Sequence, residues 1–235
     1  MTEGPTGPVR PAGDERLILL LVGAVGAGKG TQADLLADEL GIPHLASGNL
    51  FRAAMAAGSR LGEDARAYME RGELVPDDTT IAMFMEELAR PLAARGAILD
   101  GFPRTPRQAT ALDETLAAQG ERIRRVIFID VPTEILVQRV AGRWICPTCS
   151  TPYHEFKDPP QVAGRCDRDG TALTQRDDDR PEVVRARLER QVPPMLEVVD
   201  HYERAGIVDR IDGQQPIEAV TSEILARIGH VAVTE

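Results

Sequence analysis

Lysine is almost absent from this chain. Of its 27 basic residues only Lys29 and Lys157 are lysines, and all the others are arginines. Aromatic residues make up only 4%, and the three cysteines are an odd number that does not suggest a disulfide framework. No apolar run approaches the roughly 20 residues that span a bilayer, and residues 1–16 lack the apolar segment of a secretory signal. We therefore expect a cytoplasmic protein with no membrane partner.

The chain also has fewer basic residues than acidic ones, 27 against 37. The formal net charge of −10 disfavours nucleic acids and anionic membranes as partners, because both attract basic surfaces. A nucleotide ligand is not excluded, since a few clustered arginines can outweigh the global field locally. The length of 235 residues and the apolar content of 43% indicate one large domain, or a domain with insertions, around a sizeable core.

One of the two lysines stands in a glycine-rich segment. The run Gly23–Thr31 directly follows the apolar segment Leu17–Val22 and contains Lys29. Glycines let backbone N–H groups turn toward phosphate oxygens, and the compact ammonium of lysine can approach them as a point charge. The pattern predicts a phosphate-binding loop, although Gly30 separates Lys29 from Thr31 where the usual motif has Ser or Thr directly after lysine. The alternative is a glycine-rich turn with a lysine there by chance.

Short apolar segments alternate with segments of helical pattern along most of the chain. This alternation predicts a parallel sheet covered by helices on both faces, with ligands bound beyond the carboxyl ends of the strands. The predicted strands are Leu17–Val22, Ala97–Asp100, Arg125–Val131 and Ile207–Ile211. The predicted helices are Thr31–Leu40, Thr80–Arg90, a helix with a capping box at Thr105–Gln108, Pro132–Val140, Pro181–Ala205 and Pro216–Ile228.

Two stretches interrupt the alternation. Residues 47–75 have the pattern of short helices joined by Gly58 and Gly72. Residues 143–180 lack helical periodicity, contain all three cysteines and are rich in Pro, Gly and Thr. We interpret both stretches as insertions on a central nucleotide-binding core.

Several motifs resemble one family when they are taken together and in order. The motifs are Gly23–Gln32, Ser47–Arg52, Gly72–Asp77, Asp100–Arg104 with Gln108, Arg139 with Arg143, Arg176–Asp179 and Arg187. Together they resemble the adenylate kinase family, in its long-lid and zinc-binding form, and the resemblance extends from about Leu17 to Ile228.

The resemblance implies an α/β fold with a P-loop NTPase core, whose parallel five-stranded sheet is flanked by helices. It also implies a division of the chain into domains. The expected divisions are an N-terminal flexible tail at 1–16, a core at 17–46, 76–142 and 181–230, a small helical nucleoside-monophosphate-binding insertion at 47–75, a zinc-bearing lid at 143–180 and a C-terminal tail at 231–235.

The resemblance further implies transfer of a phosphoryl group from ATP, as its Mg²⁺ complex, to AMP, giving two ADP. Lys29, Arg104, Arg143, Arg176 and Arg187 are expected to be catalytic. Asp100, which ends an apolar strand, is expected to order the water shell of Mg²⁺. Taken alone, an arginine is better explained as a solvated surface charge, so only the motif positions argue for the arginine roles. The alternative for Asp100 is a helix-capping or turn residue, which its position at the end of an apolar strand disfavours.

The nucleotide-binding residues are also implied by the resemblance. Arg139 is expected to stack on the ATP adenine, and the amide of Gln108 to match the N1 acceptor and N6 donor of the AMP adenine. The ATP-binding set is Gly26, Ala27, Gly28, Lys29, Gly30, Thr31, Arg139 and Arg143. The AMP-binding set is Ser47, Arg52, Val75, Gly101, Arg104, Gln108, Arg176 and Arg187.

The cysteines have the spacing of a metal site. Cys146 and Cys149 form one short knuckle, and Cys166 and Asp169 form a second after a loop, which suits a tetrahedral structural Zn²⁺ with an oxygen as fourth ligand. The zinc-binding members of the family have this ligand pattern. The alternatives are three reduced cysteines in a metal-free lid, a redox pair, or His154 as the fourth ligand.

Three other functions remain as hypotheses. Another nucleoside monophosphate kinase is disfavoured by the long lid and by Gln108, since relatives that prefer UMP or CMP carry an asparagine-containing variant there. A regulatory ATP-binding protein whose zinc lid binds nucleic acid is disfavoured, because residues 143–180 contain six basic and seven acidic residues. An inactive relative is disfavoured by the intact Lys29 and Asp100. We expect a monomer that acts on ATP, AMP and ADP.

Overall fold

The computed structural model of the chain describes residues 16–71, 73–149, 151–155, 158–175 and 179–229. In chain order its elements are β1 (Leu17–Val22), α1 (Lys29–Leu40), β2 (His44–Ala46), α2 (Ser47–Ala56), α3 (Arg60–Glu70), α4 (Asp77–Ala89), a 3₁₀ turn (Pro91–Ala93), β3 (Gly96–Asp100), α5 (Pro106–Ala118), β4 (Ile123–Asp130), α6 (Thr133–Ala141), β5 (Arg143–Ile145), β6 (Pro152–His154), α7 (Pro181–Glu203), β7 (Val208–Asp212) and α8 (Ile217–Gly229).

A five-stranded parallel sheet forms the centre of the molecule, in the order β2-β3-β1-β4-β7. Side chains of β1 alternate between the two faces, because successive residues of a strand point in opposite directions. Ile18 and Leu20 pack in one core cluster with residues of α4 and α5, whereas Leu19 and Leu21 pack in a second cluster with residues of α1 and α8. Helices therefore cover both faces, and the strands end together at one edge of the sheet.

The fold class predicted from the sequence is confirmed. All four predicted strands and the predicted helices are present, with ends that differ by a few residues. The fifth strand, β2, was not recognised from the sequence. It has only three residues and begins with the polar His44, so it lacks the apolar run that marks the other strands.

Arg16, the last residue of the predicted N-terminal tail, is buried against the core. Its side chain is only 6% exposed, and its guanidinium donates to the carbonyl oxygens of Ala93 (2.9 Å) and Leu88 (2.7 Å) and to Glu121 (2.8 Å). The buried carbonyls and the carboxylate satisfy this charge away from water. Arg16 thus belongs to the core, and the remaining residues of the predicted tails, 1–15 and 231–235, lie outside the described residues.

The two insertions have different structures. Residues 47–75 contain α2 and α3, which pack against each other and are joined at Gly58. In the second insertion, β5 and β6 form an antiparallel pair, and Ile145 also bridges to Thr174. Gly72, Ser150, residues 156–157 and residues 176–178 lie outside the described parts of the chain. Among the described helices, none has the length and apolarity that crossing a membrane requires.

Candidate active site

The glycine-rich loop connects β1 to α1. Gly26 has a φ of +85°, and a Cβ at this position would come within 2.7 Å of Cγ2 of Val140 on α6, so only glycine allows this close packing. The Nζ atom of Lys29 donates to the carbonyl oxygens of Gly23 (2.7 Å) and Ala24 (3.0 Å). The backbone of the loop therefore binds the ammonium group of its own lysine.

The ammonium of Lys29 is easier to deprotonate than that of an ordinary lysine. Burial lowers its pKa to about 8, and the positive charges of nearby arginines act in the same direction. The carboxylate of Asp100 opposes them. Because the surrounding charge is mostly positive, an anionic ligand in this loop would restore the ammonium form.

Asp100 ends β3 beside this loop, with its side chain 14% exposed. Its Oδ2 lies 3.4 Å from Nε2 of His44, whose Nδ1 lies 2.7 Å from Oδ1 of Asp34. Burial favours the neutral carboxyl, but His44, Lys29 and Arg104 outweigh burial and hold the pKa of Asp100 below its usual value. The site therefore keeps an ionised carboxylate facing the loop.

Arg104 is held by contacts from three elements. Its Nε donates to the Gly101 carbonyl (2.8 Å), one terminal nitrogen donates to Ser47 (3.1 Å), and the other donates to Gln191 of α7 (3.1 Å). Gly101 has a φ of +73°, and a Cβ there would meet both Ser47 and Arg104 at 2.5 Å. Burial lowers the pKa of Arg104. The positive charge of Arg187 lowers this pKa further, whereas the carboxylate of Asp100 raises it. These contacts fix the guanidinium before any ligand binds.

The start of α5 corrects one detail of the predicted capping box. Thr105 caps the helix as expected, since its Oγ1 accepts from the Gln108 backbone N–H (3.2 Å). In a capping box the side chain of Gln108 would accept from the backbone N–H of Thr105. Here Oε1 of Gln108 accepts instead from the backbone N–H of Arg104 (2.7 Å). The Nε2 of Gln108 donates to Oδ1 of Asp77 (2.8 Å), at the start of α4.

The remaining predicted arginines within the described residues lie on four elements, α2, α6, β5 and α7. Arg52 donates to Asn49 (2.6 Å), Arg139 donates to the carbonyl of Gly213 (2.8 Å), and Arg143 makes a two-pronged ion pair with the fully buried Asp179. Arg187 lies on α7 and faces the same cleft as these three. Arg176, also predicted to be catalytic and to bind AMP, lies outside the described residues.

One cleft of about 1030 Å³ brings these segments together. The cleft lies at the edge where the parallel strands end, the usual position for ligands of such sheets. Apart from Arg176, it is lined by every residue of the predicted nucleotide-binding and catalytic sets: Gly26, Ala27, Gly28, Lys29, Gly30, Thr31, Ser47, Arg52, Val75, Asp100, Gly101, Arg104, Gln108, Arg139, Arg143 and Arg187.

Two residues that line this cleft and support predicted site residues, His44 and Gln191, were not predicted from the sequence. His44 contacts Asp100, and Gln191 supports Arg104. A signal for Gln191 was present, because it lies four residues after Arg187 on one helix and so shares its face. His44 carried no such signal, since its partner Asp100 lies 56 residues away in sequence.

The three cysteines and Asp169 lie together in the second insertion. Their potential ligand atoms are all within 4.8 Å of one another, and His154 is not part of this group. Cys146 and Cys166 are buried and pack with Tyr153 and Leu173. Three thiols and one carboxylate at this spacing have the composition of a tetrahedral zinc site.

Comparison with known proteins is consistent with this site. The family model for adenylate kinase matches residues 21–207. Adenylate kinases from Exiguobacterium sibiricum and Symbiobacterium thermophilum are 47% and 48% identical over 90% and 88% of this chain, covering 98% and 95% of their own lengths. An adenylate kinase from an Anaeromyxobacter species is 46% identical over 90% of this chain and 100% of its own length. The chain belongs to the adenylate kinase family, whose members are nucleoside monophosphate kinases.

Proposed function

We propose that the protein catalyses reversible, Mg²⁺-dependent phosphoryl transfer from ATP to AMP, giving two ADP. The observation that carries the proposal is the single cleft in which the lysine of the glycine-rich loop meets arginines from separate segments. Transfer between two nucleotides needs such an arrangement, because two polyanions must be brought end to end and their charge neutralised.

The identity of the nucleotide that accepts the phosphoryl group is tested by a coupled assay with ATP and each of AMP, UMP, CMP and GMP. We expect AMP to give the highest kcat/KM. A higher value with UMP or CMP would identify the protein as another nucleoside monophosphate kinase. Turnover with none of the four would favour a non-catalytic ATP-binding protein.

The ATP site is assigned to the glycine-rich loop and the start of the lid. Backbone N–H groups of Gly26–Thr31 cradle the β- and γ-phosphates, and the α1 N-terminus adds its positive end. Lys29 exchanges its two carbonyl bonds for bonds to phosphate oxygens. Arg139 stacks on the adenine, and Arg143 lies against the phosphates.

The AMP site is assigned to the other half of the cleft. Arg52 and Arg104 bind the AMP phosphate, and Gln108 binds the adenine edge. Ser47, Val75 and Gly101 form the adjoining wall. Arg104 needs little rearrangement, because its guanidinium is already held by three hydrogen bonds.

Catalysis by this cleft requires positioning and charge neutralisation rather than a protein nucleophile. The guanidinium groups of Arg104, Arg143 and Arg187, together with Arg176, stabilise charge on the phosphoryl group as it moves. Closure of residues 47–75 and 143–180 over the substrates keeps water from taking the phosphoryl group.

Bound and free scattering profiles should differ if these two insertions close. We expect the radius of gyration to fall when a two-headed dinucleotide inhibitor that spans both sites is added, since both insertions then pack on one ligand. Addition of adenosine alone is the control, because it lacks the phosphates that join the two sites. Identical dimensions with and without the inhibitor would contradict closure.

The residues beside the loop fit a Mg²⁺ ion that arrives with ATP. Asp100 is an ionised carboxylate at the carboxyl end of β3, and magnesium prefers oxygen ligands and keeps several waters. Asp100 would hold these waters, with the hydroxyl of Thr31 also in the cleft. The ion supplies charge neutralisation on the phosphates when it is bound.

We also propose that Cys146, Cys149, Cys166 and Asp169 bind a structural Zn²⁺ ion. Among the described residues of 143–180, the apolar cluster consists of the buried Cys146, Tyr153, Cys166 and Leu173 with the partly buried Cys149, so this core is too small to make the segment stable by burial alone. A bound metal would supply the missing stabilisation by joining both knuckles. We propose further that the protein is a monomer in the cytoplasm, and sedimentation measures its oligomeric state.

The pKa of Lys29 predicts a pH dependence. With a pKa of about 8 in the free protein, the ammonium is present below that pH and lost above it. We expect kcat/KM for ATP to fall up to tenfold per pH unit above pH 8, because this parameter follows the free enzyme. The kcat value should fall only at higher pH, since bound phosphates raise the pKa of Lys29. Excess coupling enzyme across the range is the control, and a level kcat/KM from pH 7 to 9.5 would contradict the assignment.

A further inference from the structure

The amide of Gln108 is held by two groups of opposite hydrogen-bonding character. On one side, Nε2 donates to Oδ1 of Asp77 at 2.8 Å. On the other side, Oε1 accepts from the backbone N–H of Arg104 at 2.7 Å. The residue is 1% exposed and lines the cleft.

These partners allow only one orientation of the amide. A carboxylate only accepts hydrogen bonds, so the atom that faces Asp77 must be the nitrogen. A backbone N–H only donates, so the atom that faces Arg104 must be the oxygen. Rotating the amide by 180° would break both bonds and bring the Gln108 oxygen against a carboxylate oxygen.

Asp77 is itself fixed by a further contact. Its second oxygen, Oδ2, accepts from Oγ1 of Thr105 at 3.0 Å, and the same Oγ1 caps α5 by accepting from the Gln108 N–H. The carboxylate thus joins the start of α4 to the start of α5, the helix that carries Gln108.

The orientation of the amide has a consequence for base recognition. The unused N–H and the unused lone pair of Gln108 can meet a base that offers an acceptor beside a donor, as adenine does with N1 and the 6-amino group. Hypoxanthine offers the reverse, an N1–H donor beside an O6 acceptor, although it has the same size and shape. A glutamine free to rotate would accept both bases.

We propose that Asp77 is a specificity-determining positioning residue, which locks the amide of Gln108 so that the acceptor site accepts adenine and rejects 6-oxopurines. This inference rests on the proposed assignment of AMP to this half of the cleft. Asp77 does not touch the base, and it acts through Gln108 alone.

The test is the acceptor preference of Asp77→Asn, measured as the ratio of kcat/KM for AMP to kcat/KM for IMP. Asparagine has the same shape, but it can present either its nitrogen or its oxygen to Gln108. Only the Arg104 N–H then opposes rotation of the amide, so the reversed orientation costs less than in the wild type. We expect the AMP-to-IMP ratio to fall at least tenfold, through both a loss with AMP and a gain with IMP. The KM values for ATP should be unchanged.

The adjacent Asp78→Asn variant is the matched control. Asp78 lies in the same first turn of α4, so its replacement removes the same charge from the same helix end, but its carboxylate is 78% exposed and pairs with Arg107. We expect the control to keep the wild-type ratio. An equal fall in both variants would overturn the proposal, because the helix-end charge and not the amide orientation would then be responsible.

Two further outcomes decide the proposal. If Asp77→Asn is unstable in a melting measurement, Asp77→Ala provides the second variant, since it also releases Nε2 of Gln108 and should shift the ratio in the same direction. A wild-type ratio in either folded variant overturns the role of Asp77 and leaves the kinase assignment standing. A wild-type protein that does not phosphorylate AMP removes the proposed function itself, which is a different result.

Discussion

Replacing Lys29 with methionine is expected to lower kcat by roughly two to three orders of magnitude, the loss typical when one group that stabilises transition-state charge is removed. Methionine removes the ammonium that the loop holds at the start of α1, 2.7 and 3.0 Å from the carbonyl oxygens of Gly23 and Ala24, where the phosphates are expected to bind. Methionine fills a similar volume without charge. The measurement is steady-state turnover with saturating ATP and AMP.

The fold should survive this replacement. Burial disfavours the charged form of Lys29, as its lowered pKa indicates, so an apolar side chain at this position does not leave a buried charge unpaired. We therefore expect an unchanged or higher melting temperature in Lys29→Met. A large fall in melting temperature would show that the lost activity reflects unfolding.

Two variants serve as controls for Lys29→Met. Arg90→Met removes a cation whose side chain is 56% exposed and which pairs with Glu86 and Glu87, so it should retain full activity. Lys29→Arg keeps the charge but replaces a point charge with a planar fork, which does not fit between the two carbonyls, so it should lose most of the activity. Turnover within threefold of wild type in Lys29→Met would refute the assigned role.

Removal of the metal proposed for the cluster of three cysteines and Asp169 is expected to lower the melting temperature by at least about 5 °C, because each kcal/mol of stability corresponds to roughly 2–4 °C in a protein of this size. Structural zinc contributes about 10–16 kcal/mol in small zinc domains, far more than the small apolar cluster beside the site can supply. Calorimetry with and without a strong chelator measures the shift, and elemental analysis identifies the metal.

Single substitutions in the cluster separate metal loss from other effects of the chelator. Asp169→Ala should reproduce the fall in melting temperature, whereas Asp169→Cys should keep the metal, since four thiolates also bind zinc. Asp167→Ala is the control, because its carboxylate accepts from the Gln161 N–H and lies outside the cluster. An unchanged melting curve with chelator, together with no metal by elemental analysis, would rule out the site.

Local patterns in the sequence were sufficient for most of the core. The apolar run Leu17–Val22 becomes β1 with its predicted bounds, because a strand buried on both faces needs no alternation. Helices with regular apolar spacing were also recognisable. The three-residue β2 was not, since its extended conformation depends on pairing with β3 and not on its own residues.

The site was predictable to different degrees. The glycine-rich loop carries its own signal, because its residue types and spacing match the needs of a phosphate. The arginines carry no such signal, because no neighbouring residue distinguishes a site arginine from the many other arginines of the chain. Only the order of the motifs identified them. The pairing of Arg143 with Asp179 and of Gln108 with Asp77 required the structure, because it joins residues 36 and 31 positions apart.

Arg16 has a practical consequence for attaching the protein to other molecules. It anchors the amino end of β1 through Ala93, Leu88 and Glu121, whereas the substrates are expected at the carboxyl end of the same strand. A fusion partner, dye or surface tether joined ahead of Arg16 would therefore exert its force at the amino ends of the strands, and not at the carboxyl ends where the cleft opens. Turnover by immobilised single molecules could be followed without obstructing nucleotide entry.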